Sequence, residues 1–200
     1  MGKLILVRHG ETNKNVKNNL HTFDDSESIN KTGIKQIKAT ADRLSSFLPS
    51  LVFSSKEKRA LESAKIISDT LNIPVEEIAG MQERNWGIFT GKSWKEVEKV
   101  LGSMTLEERY NYLPQGGESW KIFETRLVNV IKKITKNHKD DTIVIVTHGG
   151  AIRALMPFLL GVQKEESFKY DFDNASLTIF NFNEGTFIKE MINDITHLMS

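Results

Sequence analysis

Cysteine is absent from all 200 residues, which excludes disulfides, thiolate zinc sites and a cysteine nucleophile. Long apolar runs are absent too. The first such run, residues 4–7, is four residues long and too short for the core of a signal peptide. No stretch approaches the roughly 18 apolar residues of a membrane span. An excess of one charge is also missing: 27 Lys and Arg stand against 26 Asp and Glu, a formal net charge of +1. No general field therefore draws nucleic acid or an anionic membrane, and anion binding has to come from local clustering. Neither an internal repeat nor a low-complexity segment is present. The expectation is a soluble, cytoplasmic chain of one large domain or two small ones, long enough to bury a core.

What is present alternates between two kinds of element. Leu4-Ile5-Leu6-Val7 is continuously apolar, the pattern of a strand covered on both faces. Ile34, Ile37, Ala41, Leu44 and Leu48 recur at helical spacing, with Asn30 placed as the cap. A short strand at 51–53 ends in Ser54-Ser55, and Ala60, Ala64, Ile67 and Leu71 mark a second helix that stops at Asn72 before Pro74. Residues 80–117 hold six of the thirteen glycines and two of the three tryptophans. They read as an insertion or lid with helical pieces near 93–101 and 105–112. Phe123, Leu127, Val130, Ile131 and Ile134 predict a long amphipathic helix, 143–146 another buried strand, and Ile152, Leu155, Phe158 and Leu159 a helix after it. Residues 176–182 and 186–192 read as a hairpin around Asn183-Glu184-Gly185. The Lys/Asn-rich stretch 13–19 reads as a solvated loop. This alternation implies a largely parallel sheet with helices on both faces.

The two buried-type strands end alike, in Val7-Arg8-His9-Gly10 and Val146-Thr147-His148-Gly149. Ligands of open α/β sheets bind at the carboxyl ends of the strands. If these two run parallel, both histidines share that edge. Arg59, in the first turn after the strand at 51–53, joins them. One such histidine is usually a hydrogen-bonded core residue; two histidines and two arginines at equivalent strand ends are harder to dismiss.

These segments resemble the histidine phosphatase superfamily, also called phosphoglycerate mutase-like. LVRHGET (6–12), VFSSKEKRALESAKII (52–67), MQERNWGIFTG (81–91), GGES (116–119) and VIVTHGGAIRAL (144–155) follow the family's order across about three quarters of the chain. The resemblance implies one domain over 1–200, a three-layer α/β/α sandwich with a mostly parallel central sheet, carrying the 80–117 lid. It implies a phosphohistidine nucleophile at His9, a phosphate pocket completed by Arg8, Arg59 and His148, a phosphate contact at Asn15 and a proton donor at Glu83. Glu11 would orient the turn. Thr22, Arg84 and Gly149 are further candidate substrate contacts. The implied partner is a small phosphorylated metabolite, and relatives are often dimers or tetramers, so a homodimer is among the states it allows.

The chemistry agrees with those residue types. Transition-state charge on a phosphoryl group collects on its equatorial oxygens, where planar guanidinium forks suit better than point charges. Backbone N–H groups at the helix start after His148 add donors. A neutral imidazole can be nucleophilic near neutral pH, provided its other nitrogen's hydrogen is held by an acceptor. An alkoxide leaves poorly, so a general acid matters, and like charge from a bound phosphate keeps a nearby carboxyl protonated. Two histidines and two arginines put positive charge where a metal would sit, so neither metal nor cofactor is expected.

Other residues read more plainly. His21 departs from the small or amide residues of many family members; of two readings, a pocket-lining residue and a surface histidine, the surface one is preferred. His138 and His197 read as solvent-exposed, Trp86 and Phe89 as lid core in preference to pocket wall, Ser119 as a helix start, and Asp171-Phe172-Asp173 as a loop. Three functions compete: a phosphatase of a small phosphomonoester, a cofactor-dependent phosphoglycerate mutase and a non-catalytic phospholigand-binding protein. Arg84 directly after Glu83 resembles the mutases, but residues 92–114 hold one arginine, Arg109, and lack the mutases' adjacent arginine pair. The phosphatase is the preferred reading.

Overall fold

A computed structural model describes residues 1–21 and 25–199. The elements run β1 (Gly2–Arg8), α1 (Asn13–Val16), α2 (Lys31–Ser45), β2 (Leu51–Ser54), α3 (Lys58–Leu71), β3 (Val75–Glu77), α4 (Trp94–Leu101), α5 (Leu106–Asn111), α6 (Trp120–Asn137), β4 (Thr142–Thr147), α7 (Gly149–Leu160), β5 (Leu177–Asn183) and β6 (Thr186–Asp194). They form a six-stranded sheet in the order β3-β2-β4-β1-β5-β6. β3, β2, β4 and β1 are parallel, and β5 and β6 add an antiparallel edge.

Leu4 to Val7 are all fully buried because both faces of β1 are covered. Side chains alternate across a strand. Leu4 and Leu6 join Ile143 and Ile145 under α6 and α7, against Phe123, Leu127, Ile152 and Leu155. Ile5 and Val7 join Val144 and Val146 over α2 and α3, against Ile37, Leu44, Ala64 and Ile67. The outcome is helices on both faces of a mostly parallel sheet.

Local chemistry sets the helix ends. The Asn30 side chain accepts from the Gly33 N–H at 2.8 Å and starts α2. Asn72 ends α3 in the left-handed region at φ 53°, a conformation asparagine tolerates. Leu48 lies outside the expected α2 face: the helix ends at Ser45, and Leu48 is 84% exposed at φ 52°. Ile34 is exposed as well. Strand β3 has no sequence signature, being a three-residue edge with a single apolar side chain. Within 80–117, α4 and α5 form at the expected places, and Trp86, Phe89, Val97 and Leu101 make a small core of their own. His138 and His197 are half-buried rather than exposed. The former pairs with Asp141 at 2.8 Å and meets the Phe53 ring; the latter bonds the Thr40 hydroxyl at 3.0 Å. Among the described residues no helix is long and apolar enough to cross a membrane.

Candidate active site

The register between β1 and β4 sets Arg8 opposite Thr147, so the residue after each, His9 and His148, leaves the sheet at the same edge. The His9 N–H donates to the Thr147 carbonyl at 2.9 Å, and the two imidazole centroids are 5.3 Å apart. β2 lies beside β4 and delivers the start of α3 to that edge, which brings in Arg59. Its side chain is fully buried and bridges the two rings: Nε donates to His9 Nε2 at 3.3 Å and Nη2 to His148 Nδ1 at 3.0 Å. Arg8 turns over Gly149, where a Cβ would lie 3.2 Å from its Nε, and donates through Nη1 to the Phe172 carbonyl.

These bonds fix both tautomers. His9 Nδ1 lies 2.8 Å from the Gly10 carbonyl, which only accepts, so Nδ1 carries the hydrogen and Nε2 is bare. Burial pushes the His9 pKa well below its usual value, and Arg59, His148 and Arg8 push the same way. His9 is therefore a neutral imidazole whose unprotonated Nε2 accepts from Arg59 Nε, and once that donor moves away its lone pair can act as a nucleophile. In His148 the Arg59 donor occupies Nδ1, so the hydrogen sits on Nε2, which lies 3.0 Å from Ser55 Oγ and 3.1 Å from Glu57 Oε2. Burial, then Arg59, also lowers its pKa, against an opposing pull from Glu57. Two guanidinium nitrogens, Arg8 Nε and Arg59 Nη1, are buried with no hydrogen-bond partner among the described residues. Such groups are costly to leave unpaired.

Glu83 lines the same cavity as His9. Its carboxylate accepts the N–H of Gly150 at 3.0 Å and of Arg84 at 2.8 Å. Glycine at 150 makes room for it, since a Cβ there would lie 2.4 Å from Glu83 Oε1. The helix-start N–H of Gly150, expected to face a phosphate, is thus engaged by Glu83. The segment carrying Glu83 is held by Arg126, which donates to the carbonyls of Gly80 and Gln82 at 2.9 and 3.1 Å and pairs with Glu118.

A cavity of about 520 Å³ opens over this edge. Of the residues the sequence pointed to, Arg8, His9, Asn15, Glu83, Arg84 and Gly149 line it. Arg59 and His148 lie behind His9, fully or almost fully buried. Asn15 Oδ1 accepts from Thr12 N and Oγ1, both at 3.1 Å, and from Asn174 at 3.2 Å, which leaves its amide NH₂ to donate. Arg84 donates to the Glu118 carbonyl at 2.9 Å and stacks 4.4 Å from the Trp86 ring; burial lowers its pKa to about 10, so it stays cationic. Thr22 lies outside the described residues.

Several expectations need correction. His21 is not a surface residue: it lines the cavity with its ring 5.7 Å from that of His9, and burial, then Arg59, lowers its pKa to about 2. The Thr12 hydroxyl donates to Asn15, so His21 Nε2 donates to it at 3.0 Å. Asp171 lies in a loop, as expected, and from there reaches the cavity and pairs with Arg153, another lining residue, at 3.2 Å. The 13–19 stretch contains α1 and contributes Asn15, Asn18 and Asn19 to the wall. Trp86 serves both the lid core and the cavity. Sequence reasoning missed Ser55, Glu57, Arg126 and Asn174. For Glu57 a clue existed: it is a carboxylate in a basic stretch, two residues before Arg59, at a strand-to-helix turn on the functional edge. Among the described residues no group of three or more His, Asp or Glu side chains could hold a metal ion.

Comparison with known proteins gives the family. The family model for the histidine phosphatase superfamily (branch 1) matches residues 4–195. The chain is 33% identical to an Arabidopsis thaliana metal-independent phosphoserine phosphatase, covering 99% of this chain and 84% of that protein. It is 30% identical to phosphoserine phosphatase 1 of Hydrogenobacter thermophilus, covering 99% and 95%. Phosphoglycerate mutases are also among its relatives. In structure it is similar to a mutant phosphoserine phosphatase from Entamoeba histolytica solved with phosphoserine, with a TM-score of 0.88 and 26% identity over 99% of this chain and 100% of that one. The chain belongs to the histidine phosphatase superfamily, branch 1, and is an enzyme of phosphomonoester hydrolysis.

Proposed function

We propose that the chain hydrolyses a small phosphomonoester through a phosphohistidine at His9, with phosphoserine the first substrate to test. The observation that carries this reading is the pair of buried N–H groups, Arg8 Nε and Arg59 Nη1, with no partner among the described residues, beside a neutral imidazole whose Nε2 carries no hydrogen. A phosphoryl group placed against Nε2 supplies the acceptors those guanidiniums lack, and it draws Arg59 Nε from the imidazole to an equatorial oxygen. The amide NH₂ of Asn15, without an acceptor among the described residues, gives a further donor. Transition-state charge then meets preorganised cations, the largest single contribution in many enzymes. Nε2 attacks phosphorus, and Glu83, protonated, delivers its proton to the leaving oxygen. In the second half the Glu83 carboxylate takes a proton from a water that attacks the phosphohistidine, releasing phosphate and regenerating His9. Phosphoserine is favoured by the relatives and by Arg84, Arg153 and Asp171 on the cavity wall, which can meet a carboxylate and an amine.

The test is quenching in alkaline denaturant with phosphoserine labelled on its phosphoryl group, followed by mapping of the label at alkaline pH. Acid-labile, base-stable phosphate on His9 and its loss in His9→Ala are expected. Turnover by His9→Ala at the wild-type rate would refute the role of His9. A parallel incubation with 3-phosphoglycerate and bisphosphoglycerate separates the mutase reading: free phosphate is expected, and 2-phosphoglycerate without matching phosphate would overturn the proposal.

A further inference from the structure

Glu57 precedes α3, where a side chain ordinarily accepts from the helix's own first N–H groups. It makes no such bond. Its carboxylate, on a residue only 4% exposed, turns to the site instead. Oε1 accepts the backbone N–H of Glu83 at 3.1 Å. Oε2 accepts from His148 Nε2 at 3.1 Å and from the Ser55 hydroxyl. A buried carboxylate is retained at a considerable desolvation cost, which strong, directed bonds have to offset.

We propose that Glu57 is a positioning residue, one carboxylate that fixes both the His148 imidazole and the backbone of the proton donor Glu83. The proposal rests on the roles given to those two residues above. With Arg59 donating to Nδ1, the one hydrogen of His148 lies on Nε2, and Ser55 gives its own hydrogen to Glu57, so the chain of donors ends on this carboxylate. When Arg59 turns toward a phosphoryl group, His148 Nδ1 loses its donor and can take up a proton to bond that group. The Glu57 charge on the opposite nitrogen supports the imidazolium. Of the charged groups facing His148, Arg59 opposes its charge, and Glu57 and Glu83 favour it. Glu57 thereby ties the far wall of the phosphate pocket to the loop that carries the acid.

The experiment compares wild type, Glu57→Gln and Glu57→Leu. The ring N–H resonances of His148 are followed by NMR in the resting protein, alongside kcat and KM for phosphoserine. Gln keeps the shape but offers one acceptor for two sets of donors; Leu offers none. The expectation is a protected His148 Nε2–H signal in wild type that is weakened in Glu57→Gln and lost in Glu57→Leu. In Glu57→Leu kcat should fall about 10²-fold, the scale of a small misplacement at the reacting centre, with KM nearly unchanged. Glu57→Gln should lie between the two. An unchanged His148 signal in Glu57→Leu, or an unchanged kcat in both variants, would overturn the proposal. If wild type itself releases no phosphate, the hydrolytic reading fails, and the NMR comparison still decides whether Glu57 holds His148. If Glu57→Leu does not fold, the same two criteria apply to Glu57→Gln.

Discussion

Replacing Arg59 with methionine removes the charge at the centre of the site and leaves a flexible apolar side chain of similar length. Three features of one guanidinium disappear together: the bond to His9 Nε2 at 3.3 Å, the bond to His148 Nδ1 at 3.0 Å and the buried Nη1, which has no partner among the described residues and is proposed to meet the phosphoryl group. Loss of one preorganised donor to a developing anion typically costs about 10²–10³ in kcat, roughly 2.7–4 kcal/mol. Arg59→Met should lose at least that much. The pH profile should move as well. Arg59 is the second cause, after burial, of the low His9 pKa. Without it the His9 pKa rises, less of the ring is neutral in mild acid, and the acid limb of kcat/KM shifts to higher pH. The assay is phosphate release from phosphoserine between pH 5 and 8, with circular dichroism to show that the variant is folded. A folded Arg59→Met within tenfold of wild type, or an acid limb displaced to lower pH, would refute this account of Arg59.

Gly150→Ala should fold and yet lose activity, because its Cβ lies 2.4 Å from Glu83 Oε1 and displaces a side chain rather than backbone; kcat should drop about 10²-fold with little change in Tm, and wild-type kcat would contradict the fit. Folding stability should fall on acidification below about pH 6.5, since His9, His21 and His148 titrate lower in the folded protein than in the unfolded chain. The unfolded state binds the extra protons, so each contributes a slope approaching about 1.4 kcal/mol per pH unit. Glu57, which burial pushes up but His148, Ser55 and Arg59 together hold below its ordinary value, adds to the loss below about pH 4.5; urea titrations at pH 7.5, 6.5 and 5.5 that give constant stability would contradict the buried neutral histidines. Chelator treatment should leave phosphate release unchanged; abolition, restored by zinc or magnesium, would show that the arginines and histidines do not suffice.

Much of the molecule was legible in its sequence, wherever information is local or periodic. The apolar quartet at 4–7 required cover on both faces, and the same pattern at 143–146 required the same. Residues at the ends of two such strands share an edge if the strands are parallel, so Arg8, His9 and His148 could be grouped before any coordinates. Asn30 and Asn72 marked helix ends through their own backbone chemistry. Tertiary structure alone decided the rest. Glu57 and His148 meet across 91 residues, and Asn15 and Asn174 across 159. No period spans such distances; the crossovers of the sheet set them. The same holds for His21, whose loop looks solvated until its ring is placed against His9. Which imidazole nitrogen is bare is likewise a property of the assembled site, because the Gly10 carbonyl and the Arg59 guanidinium have to arrive on opposite sides of one ring.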